Sequence, residues 1–162
     1  MELFTLGESH YDERDVKDAA RAFTGWSIDA DDGTFVLRRF QHDYGEKTVL
    51  GRTGKLDGDD VLDALLAQPA CAEFIVGKLW REFVSPEPDV AEVRRIATVF
   101  RNSRYDIRTA LRLLFTSDAL FAPANRAVLI KSPVERVIGT LHNFGFATGD
   151  LAPFAFATAT FG

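Results

Sequence analysis

The sequence predicts a mainly α-helical fold, with about six helices around a phenylalanine-rich core and one short β-hairpin inserted after the first helix. Apolar residues recur at three- and four-residue spacing along most of the chain, as they do on the buried face of a helix. Polar caps or prolines precede several of these segments. Fourteen phenylalanines can contribute to a core. The 162 residues, 46% of them hydrophobic and 27% charged, suit one globular domain.

The first helix is predicted to begin after Asp12 and to end at Gly25. Aspartate is a favourable N-cap because its carboxylate accepts hydrogen bonds from free main-chain N–H groups, and glycine commonly follows the last helical residue. The expected apolar face of this helix comprises Val16, Ala19, Ala20 and Phe23.

The hydrophobic period changes after this helix. Residues 34–40 alternate in character and favour a β-strand, and residues 48–50 are predicted to pair back on them across a turn at 42–46. We therefore expect one hairpin over residues 34–50 that projects from the helical body. It should pack against the helices, because an isolated hairpin is only marginally stable in water.

The remaining helices follow in order. The second is predicted to begin after Asp57, and the third at Pro69, whose ring fits a first helical turn. The third carries the widest apolar stripe and is expected to be the central element of the core. The fourth spans about 90–100 and the fifth begins after Asp106. The sixth begins after Ser132, which with Glu135 forms a capping box around Pro133.

Both ends of the chain resemble the interior of a larger domain. Residues 2–6 begin with core-type side chains and have no cap, and residues 151–162 are a run of Phe, Ala and Thr. We therefore expect residues 1–162 to be a single helical domain truncated at both ends, with an apolar tail at 151–162 that lacks its packing partner.

Charge and motifs exclude several classes of function. The formal charge of −5 disfavours nucleic-acid binding, which needs Lys and Arg against phosphates. No segment approaches the roughly 20 apolar residues that span a bilayer, so we expect no membrane insertion by this chain. No glycine-rich phosphate loop, nucleophile elbow, paired-cysteine or HExxH motif occurs, and no cofactor is predicted. The single cysteine, Cys71, is expected to be a small buried hydrophobe.

The densest set of reactive side chains lies in residues 42–47, His-Asp-Tyr-Gly-Glu-Lys. A metal site needs three or four ligands on a rigid frame, and one imidazole with two carboxylates in a turn does not supply them, so no metal is predicted. Two interpretations stay open. His42 pairs with Asp43 or Glu46 for acid–base chemistry. Alternatively, Asp43 accepts from main-chain amides in an Asx-type turn, with Gly45 at positive φ and Glu46 and Lys47 in solvent.

Two further residues are candidates for binding. Trp26 lies beside Gly25 at a helix end and is expected to contact a ligand or the hairpin. Lys131 precedes the sixth helix, whose N-terminus favours anions. The candidate binding residues are therefore Trp26, His42, Asp43, Glu46, Lys47 and Lys131, and no catalytic residue is assigned.

Five segments of the chain are, in order, ELFTLGESHYDERDVKDAARAFTGW, HDYGEKTVLG, GDDVLDALLAQPACAEFIVGKLWREFVS, YDIRTALRLLFTSDALF and KSPVERVIGTLHNFG. Taken in this order, they closely resemble the bacterial domain-of-unknown-function 1800 family, DUF1800. Members of that family are usually longer, so the resemblance implies flanking segments beyond this chain. Many relatives look exported, which implies a periplasmic, envelope or secreted parent protein. The family brings no established activity.

Two hypotheses of function follow. The first is a scaffold or interaction domain of a larger exported bacterial protein that binds a protein or glycan partner near the hairpin. The alternative is a fragment of a hydrolase that uses acid–base residues of the 42–47 loop. The hydrolase hypothesis requires at least two of His42, Asp43, Glu46, Lys131 and Glu135 to meet in one cleft with a perturbed pKa.

Overall fold

The computed structural model describes residues 1–146, 149 and 152–161, apart from the side chains at positions 157, 160 and 161. The described part is mainly helical, as predicted. It has eight α-helices where about six were predicted, together with one five-residue π-helix at Glu2–Leu6 and two 3-10 turns at Arg39–Gln41 and Pro123–Asn125. The α-helices are α1 (Glu13–Ala22), α2 (Gly58–Ala67), α3 (Pro69–Phe83), α4 (Val90–Asn102), α5 (Ile107–Phe115), α6 (Asp118–Phe121), α7 (Pro133–Asn143) and α8 (Ala152–Phe161).

The predicted helix starts are confirmed. Asp12 caps α1 and Asp57 caps α2, each in a capping box in which the aspartate three residues later bonds back to the cap's N–H. Asp106 accepts from the N–H groups of α5. Ser132 and Glu135 form the expected capping box of α7, and Pro69 occupies the first turn of α3.

The prediction of one hairpin over residues 34–50 is wrong, because the structure has two. Strand β1 (Trp26–Ile28) pairs antiparallel with β2 (Phe35–Leu37), and β3 (Lys47–Val49) pairs with β4 (Arg52–Gly54). Part of the predicted strand at 34–40 therefore pairs with residues that precede it in the chain, at 26–28. The predicted strand at 48–50 instead belongs to a strand that pairs with residues that follow it, at 52–54. The second hairpin turns through Leu50 and Gly51, which both have positive φ, as a two-residue type I′ turn requires.

The core is not phenylalanine-rich, which corrects the second part of the predicted fold. In the described residues, Phe100 is the one phenylalanine among the buried core side chains. The buried side chains form two clusters that α3 joins. One lies between α3, α4 and α5, around Trp80 and Ile96. The other lies between α1, the strand β3 and α2, around Leu6 and Val49. The expectation that α3 is central is confirmed.

Helix α1 uses carboxylates on its inward face, where the sequence predicted only apolar residues. Val16 is exposed, whereas Asp18 is buried. Asp18 Oδ2 accepts from Thr48 N–H at 2.7 Å, and Asp15 Oδ1 accepts from Leu50 N–H at 2.7 Å. These bonds attach β3 to α1 along the edge that β4 leaves free, and they satisfy main-chain donors that would otherwise be unpaired.

Helices α7 and α8 pack against each other. No residue within α7, at 133–143, is buried, and its apolar residues Val134 and Ile138 are exposed. Residues 152–161 of the predicted apolar tail form α8, while positions 151 and 162 lie outside the described residues. None of the helices in the described ranges combines the length and apolar character that a membrane crossing needs.

Candidate functional site

A cleft of about 470 Å³ lies beside the first hairpin, where β1, β2, the 42–47 loop and the N-terminus of α2 meet. Its volume falls in the range of small-ligand sites, about 300–1,000 Å³. The lining residues are Trp26, Phe35, Leu37, Arg39, His42, Tyr44, Lys55, Asp57 and Asp59. We call this feature the aromatic cleft.

Gly25 and Gly58 allow Trp26 to take its place in the aromatic cleft. Gly25 has φ of +85°, and a Cβ there would lie 2.8 Å from the carbonyl oxygen of Arg38. At Gly58, the first residue of α2, a Cβ would lie 2.3 Å from Cζ2 of Trp26. The indole therefore sits directly on the main chain of α2. Phe23 packs edge-on against it, with ring centroids 5.0 Å apart.

Exposed aromatic side chains complete the apolar lining. Phe35 lies edge-on to Trp26 at 5.1 Å between centroids, and Tyr44 lies edge-on to the His42 ring at 4.7 Å. Phe35 is 61% exposed and Tyr44 is 58% exposed. Two ring pairs thus present apolar surface to solvent in one concave region.

Main-chain contacts fix the ring of His42. Its Nδ1 lies 2.8 Å from the carbonyl oxygen of Thr24, and a carbonyl only accepts, so Nδ1 carries the proton and donates. The Thr24 hydroxyl also accepts from Asp43 N–H at 2.8 Å. In the neutral ring Nε2 of His42 is then the acceptor, and it has no hydrogen-bond partner within the described part of the chain.

Asp43 is committed to an ion pair with Arg21 of α1. Arg21 Nε donates to Asp43 Oδ2 at 2.7 Å, and the same guanidinium donates to Asp18 and to the carbonyl oxygen of Glu46. The bond from Arg21, followed by the bond from Gly45 N–H, lowers the pKa of Asp43 to about 2. At neutral pH Asp43 is therefore a carboxylate, and it cannot supply a proton.

The expected Asx-type turn is present, with two corrections. Gly45 N–H donates to Asp43 Oδ1 at 2.8 Å, as predicted. Gly45 does not have positive φ; a Cβ there would lie 2.6 Å from Nη2 of Arg21 and 2.9 Å from Oδ1 of Asp43, so an added side chain would displace this ion pair. Lys47 is not in solvent. It is 1% exposed, and its ammonium group donates to the carbonyl oxygens of Asp43, Gly45 and Leu56.

The structure therefore places two of the six predicted binding residues in the aromatic cleft and the other four outside its lining. Trp26 and His42 line the aromatic cleft. Asp43 and Lys47 bind neighbouring parts of the protein and hold the 42–47 loop. The side chain of Glu46 is exposed outside the lining, and Lys131 is exposed before α7. In the described residues, no group of three or more His, Cys, Asp or Glu side chains has an arrangement that could hold a metal ion.

Sequence reasoning missed most of the lining of the aromatic cleft. Phe35 and Leu37 are alternate residues of β2, so their side chains lie on one face of the hairpin. The sequence could have shown this if the strand had been paired with the correct partner. Tyr44 stood within the loop already singled out. Lys55, Asp57 and Asp59 carried no such signal, since only the tertiary fold brings the start of α2 to the first hairpin.

The sequence matches a family model described as "Protein of unknown function (DUF1800)" over residues 1–162, so the chain belongs to that family. Neither a curated protein nor a solved structure shows significant similarity to it.

Proposed function

We propose that this DUF1800 member is an interaction domain of a larger, exported bacterial protein, and that it binds a protein or glycan partner in the aromatic cleft. The observation that carries the proposal is the exposure of Phe35 and Tyr44 in a concave site that also contains Trp26. Exposed aromatic rings in a cleft lose contact with water when a partner covers them, and such rings dominate many binding sites.

The 42–47 loop supports this function by fixing the wall of the cleft. Arg21 and Lys47 bind main-chain oxygens on both sides of Tyr44, and Thr24 binds His42 and Asp43. A site held in this way is organised before the partner arrives, so little conformational entropy is lost on binding.

A hydrolase remains a second candidate because His42 has an oriented ring whose Nε2 has no partner among the described residues and can act as a base in the neutral ring. The other groups that this hypothesis requires do not line the cleft beside His42. Asp43 is paired with Arg21, Glu46 lies outside the lining, and Glu135 caps α7. With no nucleophile or carboxylate bonded to His42 among the described residues, partner binding is the function that we favour.

Screening the purified chain against a glycan array and a displayed peptide library tests the proposal. Phe35→Ala and Tyr44→Ala should each weaken the binding of any ligand found by about tenfold, since each removes a large exposed ring. Phe40→Ala is the matched control. Phe40 is 85% exposed on the neighbouring 3-10 turn but does not line the cleft, so binding should stay within about twofold of wild type.

The outcome that contradicts the proposal is a ligand whose affinity falls equally in all three variants, or the absence of any ligand in both screens. Hydrolysis of ester or glycoside substrates that disappears in His42→Ala would favour the second candidate instead.

A further inference from the structure

We propose that the partner bound in the aromatic cleft is an uncharged oligosaccharide; this inference rests on the proposed function and names its ligand class. Sugar rings present apolar C–H faces and a rim of hydroxyl groups. A site that recognises them needs aromatic surface together with hydrogen-bond donors and acceptors. The lining of the cleft provides both.

The aromatic surface consists of the two ring pairs. Trp26 with Phe35 and His42 with Tyr44 are each arranged edge to face, so the rings of a pair face different directions in the cleft. An aromatic face packs well against the C–H face of a pyranose because both surfaces are apolar and nearly flat.

The polar groups of the lining carry no net charge. Arg39 and Lys55 are balanced by Asp57 and Asp59. Electrostatic complementarity therefore favours neither a phosphate or uronic acid nor a cationic ligand. A hydroxyl group, which both donates and accepts, can use cations and carboxylates at the same time.

These polar groups are also uncommitted. The side chains of Arg39, Lys55 and Asp59 make no hydrogen bond and no ion pair within the part of the chain that the structure describes. Asp57 uses Oδ1 to cap α2, and its Oδ2 has no partner among the described residues. His42 adds the acceptor Nε2, because its Nδ1 is held by Thr24. A neutral ligand rich in hydroxyl groups would satisfy all of them.

The competing occupant is a peptide segment, since proline-rich peptides also dock on aromatic grooves. The polar lining favours the saccharide. Such a peptide offers mainly carbonyl acceptors, which would leave the carboxylates of Asp57 and Asp59 without donors, whereas sugar hydroxyls supply them.

The test is a fluorescence titration of the chain with four probes. Two are neutral, hexasaccharides of β-linked glucose and of β-linked N-acetylglucosamine. The others are a hexasaccharide of galacturonic acid and a proline-rich peptide. The emission of Trp26 should change when a ligand enters the cleft, whereas Trp80 is 1% exposed in the core and its emission should stay constant. Probe concentrations should extend to about 10 mM, because a short saccharide in one cleft can bind with a Kd near 1 mM.

We expect at least one neutral hexasaccharide to shift the emission of Trp26. Phe35→Ala and Asp59→Asn should each weaken its binding by about tenfold. Two matched controls, Phe40→Ala and Asp63→Asn, should change it by less than about twofold. Asp63 is an exposed aspartate of α2 outside the cleft lining.

The inference is overturned while the proposed function stands if only the peptide binds and Phe35→Ala abolishes that binding. It is also overturned if the galacturonic acid probe binds more tightly than the neutral ones. If no probe binds, or if binding is unaffected by Phe35→Ala, both the ligand class and the location of the site are refuted.

Discussion

Replacing Lys47 with methionine should destabilise the protein by about 3 kcal/mol. Lys47 is 1% exposed, and its three ammonium hydrogens have three main-chain acceptors, the carbonyl oxygens of Asp43, Gly45 and Leu56. Methionine keeps an unbranched stem that fits the same space but removes the charge and all three donors. The substitution therefore isolates the hydrogen bonds from the packing.

The magnitude follows from what the three carbonyls lose. A buried polar group left without its partner costs about 1–3 kcal/mol. The bond to Leu56 is buried, so its carbonyl bears the full cost, while the bonds to Asp43 and Gly45 are partly buried and water can replace the donor. Relief from burying an ammonium group offsets part of this sum. The net of about 3 kcal/mol corresponds to a fall in Tm of about 6–12 °C in a domain of this size.

Urea unfolding followed by circular dichroism measures the loss. The midpoint should fall while the slope stays constant, since the surface exposed on unfolding is unchanged. Lys131→Met is the control, because Lys131 is exposed and should shift the unfolding free energy by less than about 0.5 kcal/mol. A loss below about 1 kcal/mol in Lys47→Met would show that the buried ammonium does not stabilise the loop.

Two other predictions concern Trp26 and the Arg21–Asp43 pair. Gly58→Ala should cost about 1–3 kcal/mol and shift the fluorescence of Trp26, because the added carbon would lie 2.3 Å from Cζ2 of the indole. At Gly139 an added carbon meets no atom of the described residues within 4 Å, so Gly139→Ala should change neither the stability by that amount nor the spectrum; an unchanged spectrum in Gly58→Ala would contradict the packing. Arg21 lowers the pKa of Asp43 from 3.8 to about 2, so the stability contributed by the carboxylate is complete above pH 3.8 and is lost as the pH falls toward 2. Asp43→Asn should therefore be less stable than wild type near neutral pH, with a difference that closes over this range in urea unfolding; a difference independent of pH would refute the pairing.

The helix starts could be predicted from the sequence because their causes are local. A cap such as Asp12 or Ser132 binds N–H groups two or three residues away, so a short segment contains the whole interaction. The same reasoning located Pro69 in α3. These local signals do not indicate which distant residues pack against the buried face of each helix. Asp18 belongs to the core side of α1 only because Thr48 presents an N–H group there.

The hairpins were mispaired because their register depends on contacts from distant residues. Leucine seldom occupies the first position of a type I′ turn, since positive φ is costly for a side chain with a Cβ. Here the N–H of Leu50 is held by Asp15, which lies 35 residues earlier in the chain. The pair Leu50–Gly51 therefore forms a turn that its own sequence only weakly predicts.

The abundance of phenylalanine misled the prediction of the core for a related reason. Composition counts rings but does not assign them to an interior or a surface. Small and branched residues such as Ala97 and Ile96 make up most of the buried cluster between α3, α4 and α5. Phe35 and Phe40 instead lie on the surface near the cleft. The large apolar ring, which suggested a place in the core, thus makes an exposed phenylalanine a candidate for binding a partner.

The charged residues of the 42–47 loop illustrate how a reactive-looking motif can be mainly architectural. Asp43 and Lys47 have the chemistry of a catalytic pair, yet each has all its strong partners within the protein. A residue whose bonds are internal can affect binding only by moving its neighbours. Variants at Asp43 or Lys47 should therefore lose stability and binding together, whereas Tyr44→Ala should lose binding while the unfolding midpoint changes little. Measuring both quantities in each variant separates the residues that hold the cleft from those that contact the partner.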